Sequence, residues 1–95
     1  MSAAATPSAS NARRKACDSG TMAVAVQSPN FFGVIEDYDA IRDIADGSTA
    51  LKIAVITEAS SLGILSPPGD HGFDIAVGEG QAWGIPPQFG GPFVG

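Results

Sequence analysis

An α/β fold built on a parallel sheet is what this 95-residue sequence predicts, and three observations predict it. Short runs of small and β-branched residues recur at 21–26, 51–57 and 74–77, as in strands of a parallel sheet covered on both faces. Between the first two, apolar residues fall at the three-and-four spacing of a helix. Glycine and proline punctuate every boundary, so the order reads strand, helix, strand, and then a third, short strand.

The first run, Thr21-Met22-Ala23-Val24-Ala25-Val26, is closed by Gln27-Ser28-Pro29-Asn30. Phe31-Phe32-Gly33 then sets two aromatics in a loop. Val34, Ile35, Tyr38, Ile41, Ile44 and Ala45 carry the helical spacing, and Glu36, Asp37 and Asp39 crowd its first turns, where the helix dipole favours negative charge. Gly47 is the expected stop. Residues 51–57 form the second strand, and the strand-helix-strand unit is expected to be a right-handed crossover between parallel neighbours. Residues 60–65 fit either a short helix or an extended piece, and Ser66-Pro67-Pro68-Gly69-Asp70 is a turn. Residues 74–77 give the third strand, and the glycine- and proline-rich stretch after it cannot stay regular.

Parallel strands share one carboxyl edge, and ligands of open α/β sheets sit outside it. The loops leaving the three strands there are 27–33, 58–61 and 78–84. Asn30, Glu58 and Gln81 are therefore expected to face one region of space.

Composition narrows the function classes. A chain this short holds one small domain at most. Hydrophobic residues make up 44% and charged residues 16%, a globular balance, and no run of eighteen apolar residues exists to cross a bilayer. Five basic residues against ten acidic ones give a net charge of −5, and the only basic cluster is Arg13-Arg14-Lys15, so nucleic acid is an unfavourable partner. A single cysteine, Cys17, excludes an internal disulfide, and with one histidine, His71, it cannot build a four-ligand zinc site. Residues 1–17 read as a tail outside the domain. The first sixteen, acid-free and rich in alanine and serine, have the composition of a transit peptide as well as that of a disordered arm.

The motifs are weak taken singly. Gly78, Gly80 and Gly84 approximate a dinucleotide fingerprint after a strand, but Pro86 and Pro87 arrive before the helix that fingerprint requires. A triad of Ser60 or Ser61 with His71 and Asp70 or Asp74 lacks a nucleophile elbow, and His71 reads as a solvated loop residue. Lys52, the only lysine outside the tail, stands at the amino edge of its strand, away from the crevice. Trp83, Phe31 and Phe32 read as packing groups, or as an interface if exposed.

Several blocks taken together say more. Gln27-Ser28-Pro29-Asn30-Phe31-Phe32-Gly33-Val34-Ile35-Glu36-Asp37, Ser61-Leu62-Gly63, Pro67-Pro68-Gly69 and Asp74-Ile75-Ala76-Val77-Gly78-Glu79-Gly80-Gln81, continuing through Ile85-Pro86 to Phe89-Gly90-Gly91-Pro92, resemble the P-protein of the glycine cleavage system. The wording is most similar to subunit 1 of the two-subunit bacterial glycine dehydrogenase (decarboxylating). The resemblance runs in order from about residue 18 to residue 95 and implies part of the large domain of a fold-type-I, pyridoxal-phosphate-dependent enzyme.

It also implies roles. Pro29-Asn30 matches a turn near the cofactor, and Glu58 stands near the strand-end acid that pairs with the pyridine nitrogen. Gln81 holds the place, four residues before Ile85-Pro86, where catalytic members carry the cofactor-binding lysine. An amide has no amine lone pair for that bond, so the resemblance implies no catalytic residue in this chain. The implied partners are a catalytic subunit 2 and lipoyl H-protein, with glycine as substrate of the assembly. The assembly decarboxylates glycine and passes the aminomethyl group to the lipoyl arm. The chain is expected to be a fragment of such a subunit, inactive alone, in the cytoplasm or, if the first residues are a transit peptide, the mitochondrion. The competing expectations are a small stand-alone α/β interaction module without catalysis and a complete enzyme acting through serine or histidine.

Overall fold

A computed structural model describes residues 17–86, 88 and 93–95. Three strands, β1 (Ala23–Gln27), β2 (Leu51–Ile56) and β3 (Ile75–Gly78), pair parallel in the order β1-β2-β3. One α-helix, α1 (Tyr38–Ala45), connects β1 to β2. Two 3₁₀ turns, Ala59–Gly63 and Pro68–His71, connect β2 to β3, and a third, Gln81–Trp83, follows β3. The predicted α/β class, the order of elements along the chain and the parallel pairing are present, and the spatial order of the strands is added by the structure. The 1–16 tail and the block at residues 89–92 lie outside the described residues.

The helix starts later than the apolar spacing predicts. Val34 and Ile35 remain in the preceding loop, because Asp37 takes the N-cap position and its carboxylate accepts from the Ala40 N–H at 3.0 Å. An N-cap oxygen satisfies an amide that has no partner within the helix, which fixes where the helix begins. Asp39 follows in the first turn, on the favourable side of the dipole. The ambiguous 60–65 stretch resolves as a 3₁₀ turn capped by Glu58, whose carboxylate accepts from the Ser60 N–H.

Register decides which side of the sheet is covered. Val26, Ala54 and Ala76 lie abreast, as do Ile56 and Gly78. This row points at α1 and at Phe73 in the second connection, forming the core of Ile41, Ala54 and Phe73 with Val24, Val26 and Tyr38 around it. Each large apolar side chain so buried contributes about 1.5–3 kcal/mol. Both connections contribute to this one face. The opposite row holds Ala25, Ile53 and Ile75 abreast, then Gln27, Val55 and Val77. No described element covers it, and Leu51, Ile75 and Val77 are each between 41% and 49% exposed. Within the described residues the strands expected to be buried on both faces are covered on one: along β1, half-buried and exposed residues alternate.

Two ties fix the amino edge. The backbone N–H of Lys52 donates to Asp74 Oδ2 at 2.8 Å, while the Asp74 N–H returns to the Lys52 carbonyl at 3.0 Å. The Lys52 ammonium reaches Asp46 Oδ1, at the C-cap of α1, at 2.9 Å. That bond raises the lysine pKa. Among the described residues no helix is long and apolar enough to cross a membrane.

Candidate functional site

The loops leaving the carboxyl ends of the three strands meet at one edge, as the topology requires. Gln27 Nε2 donates to Thr57 Oγ1 at 3.2 Å, linking the first loop to the second. The second and third loops enclose an apolar cleft of about 480 Å³, lined by Ile56, Leu62, Val77, Trp83 and Val94, with Glu79 at its side. Glu79 Oε1 accepts from the N–H groups of Gln81, at 2.9 Å, and Val94, at 2.6 Å. The Gly80 N–H adds a bond to the Val94 carbonyl. A Cβ at Gly80 would approach that carbonyl to 3.2 Å, so the close crossing of the two segments favours glycine.

The three residues singled out from the sequence sit in these three loops, each with its side chain or backbone already engaged. Asn30 organises the first. Its Oδ1 accepts from the N–H groups of Phe32 at 2.9 Å and Val34 at 3.1 Å, and its Nδ2 donates to Glu36 Oε1 at 2.9 Å. Backbone bonds from Asn30 N–H to Val34 and from Gly33 N–H to Asn30 close the turn. Gly33 adopts φ +75°, a left-handed conformation that a side chain would strain. Ser28, which is buried, receives the Glu36 N–H on its hydroxyl at 3.1 Å.

Glu58 lies two residues beyond β2. Its Oε1 accepts from the Ser60 hydroxyl at 2.6 Å and from the Ser60 N–H at 3.2 Å. These bonds lower its pKa and keep it ionised. Gln81 opens the last 3₁₀ turn and is half-buried. The cleft is lined by sequence neighbours of Glu58 and Gln81, Ala59 and Gly80 among them, rather than by those two side chains.

Three other readings differ from the structure. Phe31, Phe32 and Trp83, expected as packing groups, are 90%, 84% and 69% exposed within the described residues, and the two phenyl rings meet edge-on at 5.4 Å. His71 is not a solvated loop residue: it is half-buried against the Tyr38 ring. Its polar partners are neither Ser60 nor Ser61, neither Asp70 nor Asp74. Nε2 lies 2.9 Å from Ser66 Oγ and Nδ1 lies 3.0 Å from Asp39 Oδ1, which ties the Pro68–His71 turn to α1. No pattern in the sequence marked this trio, since Asp39 is 32 residues from His71 and serine and aspartate are common. Asp39 is also held by Arg42 at 2.8 Å, and its pKa is lowered, chiefly by the His71 hydrogen bond. A shallow recess of about 190 Å³ adjoins the trio.

Comparison with known proteins adds an identity to this geometry. A family profile described as "Glycine cleavage system P-protein" matches residues 4–95. The chain is 54% identical over 80 residues to the probable glycine dehydrogenase (decarboxylating) subunit 1 of Staphylococcus carnosus, covering 84% of this chain and 18% of that protein. The same figures hold for the correspondingly named protein of Azorhizobium caulinodans. That of Macrococcus caseolyticus is 47% identical over 85 residues, covering 90% of this chain and 19% of its own length. The chain thus spans about a fifth of the length of these relatives. No solved structure is significantly similar to it.

Proposed function

Because this chain belongs to the glycine cleavage system P-protein family, we propose that it forms part of a subunit of the subunit 1 type, serving a glycine-decarboxylating assembly in a structural and partner-binding role. The observation that carries the reading is the 54% identity sustained over 80 residues to proteins of that name. The assembly decarboxylates glycine with the help of a second, catalytic subunit and passes the aminomethyl group to lipoyl H-protein. The bacterial source of these relatives supports the cytoplasm as the compartment. The fold-type-I large domain remains the architecture to which a three-stranded parallel sheet of this kind would contribute.

Pyridoxal phosphate, when bound in such an assembly, supplies the electron sink for loss of carbon dioxide. The residues of this chain do not fit covalent attachment of that group. Lys52, the only lysine among the described residues, stands at the amino edge on Asp46, across the sheet from the loops. Gln81 offers an amide where an amine is needed. In this proposal the partner subunit holds the cofactor, and Asn30, Glu58 and Gln81 face its edge from this side. Glu58, kept ionised by Ser60, is one anionic acceptor that the edge offers.

The test is exchange of labelled bicarbonate into glycine in the presence of lipoyl H-protein. Subunit 1 carrying this segment, co-expressed with subunit 2, is expected to support exchange well above that of subunit 2 alone. Equal exchange with and without subunit 1 would overturn the proposed role.

A further inference from the structure

We propose that Glu79 is a positioning residue for the carboxyl edge, its carboxylate fixing the backbone at Gln81 against the central strand so that this loop is presented to the reacting groups in one place. The proposal rests on the reading above, that this edge serves a glycine-decarboxylating assembly, and adds which side chain sets its geometry and through which oxygen.

Glu79 is itself anchored to the sheet. Its N–H donates to the Ile56 carbonyl, at the end of β2, at 3.1 Å, and Gly78 before it lies so close that a Cβ there would approach the same carbonyl to 3.1 Å. From that fixed backbone the side chain reaches forward. Oε1 accepts from the N–H groups of Gln81 at 2.9 Å and Val94 at 2.6 Å, so one oxygen ties the third loop to the strand it leaves and to a segment 15 residues on. The 3₁₀ turn carries the constraint further, through the Trp83 N–H to the Gly80 carbonyl at 3.0 Å and the Ile85 N–H to the Gln81 carbonyl at 3.2 Å. Asn30 and Glu58 fasten only their own loops, with side-chain partners between Phe32 and Glu36 for the one and at Ser60 for the other. All these contacts lie within the chain and hold whatever covers the edge from outside. A site supported from a strand in this way keeps its geometry better than one supported by a loop alone.

The same contacts say which property of the side chain is used. Both amides converge on Oε1, so the role calls for a doubly accepting oxygen at that reach. Glutamine offers such an oxygen at the same length. Aspartate keeps the charge but is one methylene short, and alanine leaves two amides without their acceptor. A role for the charge itself would rank the substitutions the other way. Orientation around a reacting centre supplies much of the rate, so loss of the clasp falls on kcat rather than on glycine binding.

The experiment follows exchange of labelled bicarbonate into glycine, across glycine concentrations, with full-length subunit 1, subunit 2 and lipoyl H-protein. Subunit affinity is measured by sedimentation, and amide hydrogen protection is read at positions 81 and 94. Glu79→Ala is expected to lower kcat about tenfold, with KM for glycine and subunit affinity within about twofold of wild type, and to reduce protection of both amides. Glu79→Gln is expected to keep kcat within about threefold, and Glu79→Asp to fall with alanine. Unchanged kcat in Glu79→Ala overturns the positioning role, as does unchanged protection of the two amides. A loss that accompanies weakened association, or vanishes with excess subunit 1, assigns Glu79 to the folding or pairing of its subunit and overturns it too. Activity kept by Glu79→Asp and lost by Glu79→Gln overturns it in favour of the charge. If wild-type subunit 1 adds nothing to exchange by subunit 2 alone, the reading above fails and the positioning role falls with it.

Discussion

The hydrogen bond between His71 and Asp39 shows how a single residue can join two elements that the chain keeps far apart. Asp39 sits on α1 and His71 ends the turn before β3, so their 3.0 Å contact clips the second connection to the first. Asp39 has a pKa lowered by His71 first, and also by Arg42. A carboxyl group whose pKa is depressed by folding contributes stability that is present above its unfolded value and lost as pH falls through its folded one. Stability is therefore expected to decline as pH drops below about 4, the ordinary aspartate value. Asp39→Asn should remove part of that decline, seen as a flatter plot of urea midpoint against pH, while Glu58, also lowered, retains its own share. The sequence identified His71 as chemically singular but misjudged its setting, because neither Ser66 nor Asp39 is near it in a way that spacing records. Asn30 was legible as a residue of the edge. Its work inside its own loop, accepting two amides and donating to Glu36, was not, because Pro29-Asn30 reads as a turn without saying which groups the amide will serve.

Elements were more legible than residues where a capping group or a turn residue marked their ends. The apolar spacing from Val34 onward gave α1 its face but placed its start four residues early. Spacing continues smoothly into a loop that happens to be apolar, whereas Asp37 fixes the boundary by accepting the Ala40 N–H. Asp37→Ala is expected to cost about 1 kcal/mol, read as a lowered urea midpoint with an unchanged slope, and Asp37→Asn to restore most of it. The strands were placed within two residues at each end, since short β-branched runs bounded by breakers leave little room for error. The stretch 60–65 was undecidable in advance because a 3₁₀ turn needs only three or four residues and carries no periodicity. Glu58, read as an edge residue by resemblance, also turns out to be its cap.

At the scale of the whole molecule, three parallel strands were predicted, but neither their spatial order β1-β2-β3 nor the side on which the connections pass. Apolar runs announce strands suited to burial on both faces, and say nothing of whether two connections will pass on the same side. Here both contribute to the face of Val26, Ala54 and Ile56, leaving Leu51, Ile53, Val55, Ile75 and Val77 as a contiguous apolar surface. This face is expected to bind an environment-sensitive dye such as anilinonaphthalene sulfonate under native conditions, and Val55→Lys, which breaks the surface at its centre, to reduce the fluorescence severalfold. Unaltered fluorescence would place the dye elsewhere, for instance in the cleft beside Trp83. The clasp formed by Glu79 has a consequence of its own. One carboxylate grips amides at positions 81 and 94, so the two feet of the intervening excursion stand together on the third strand's exit. A change at either foot therefore reaches the rest of the scaffold through one carboxylate, as through a single socket.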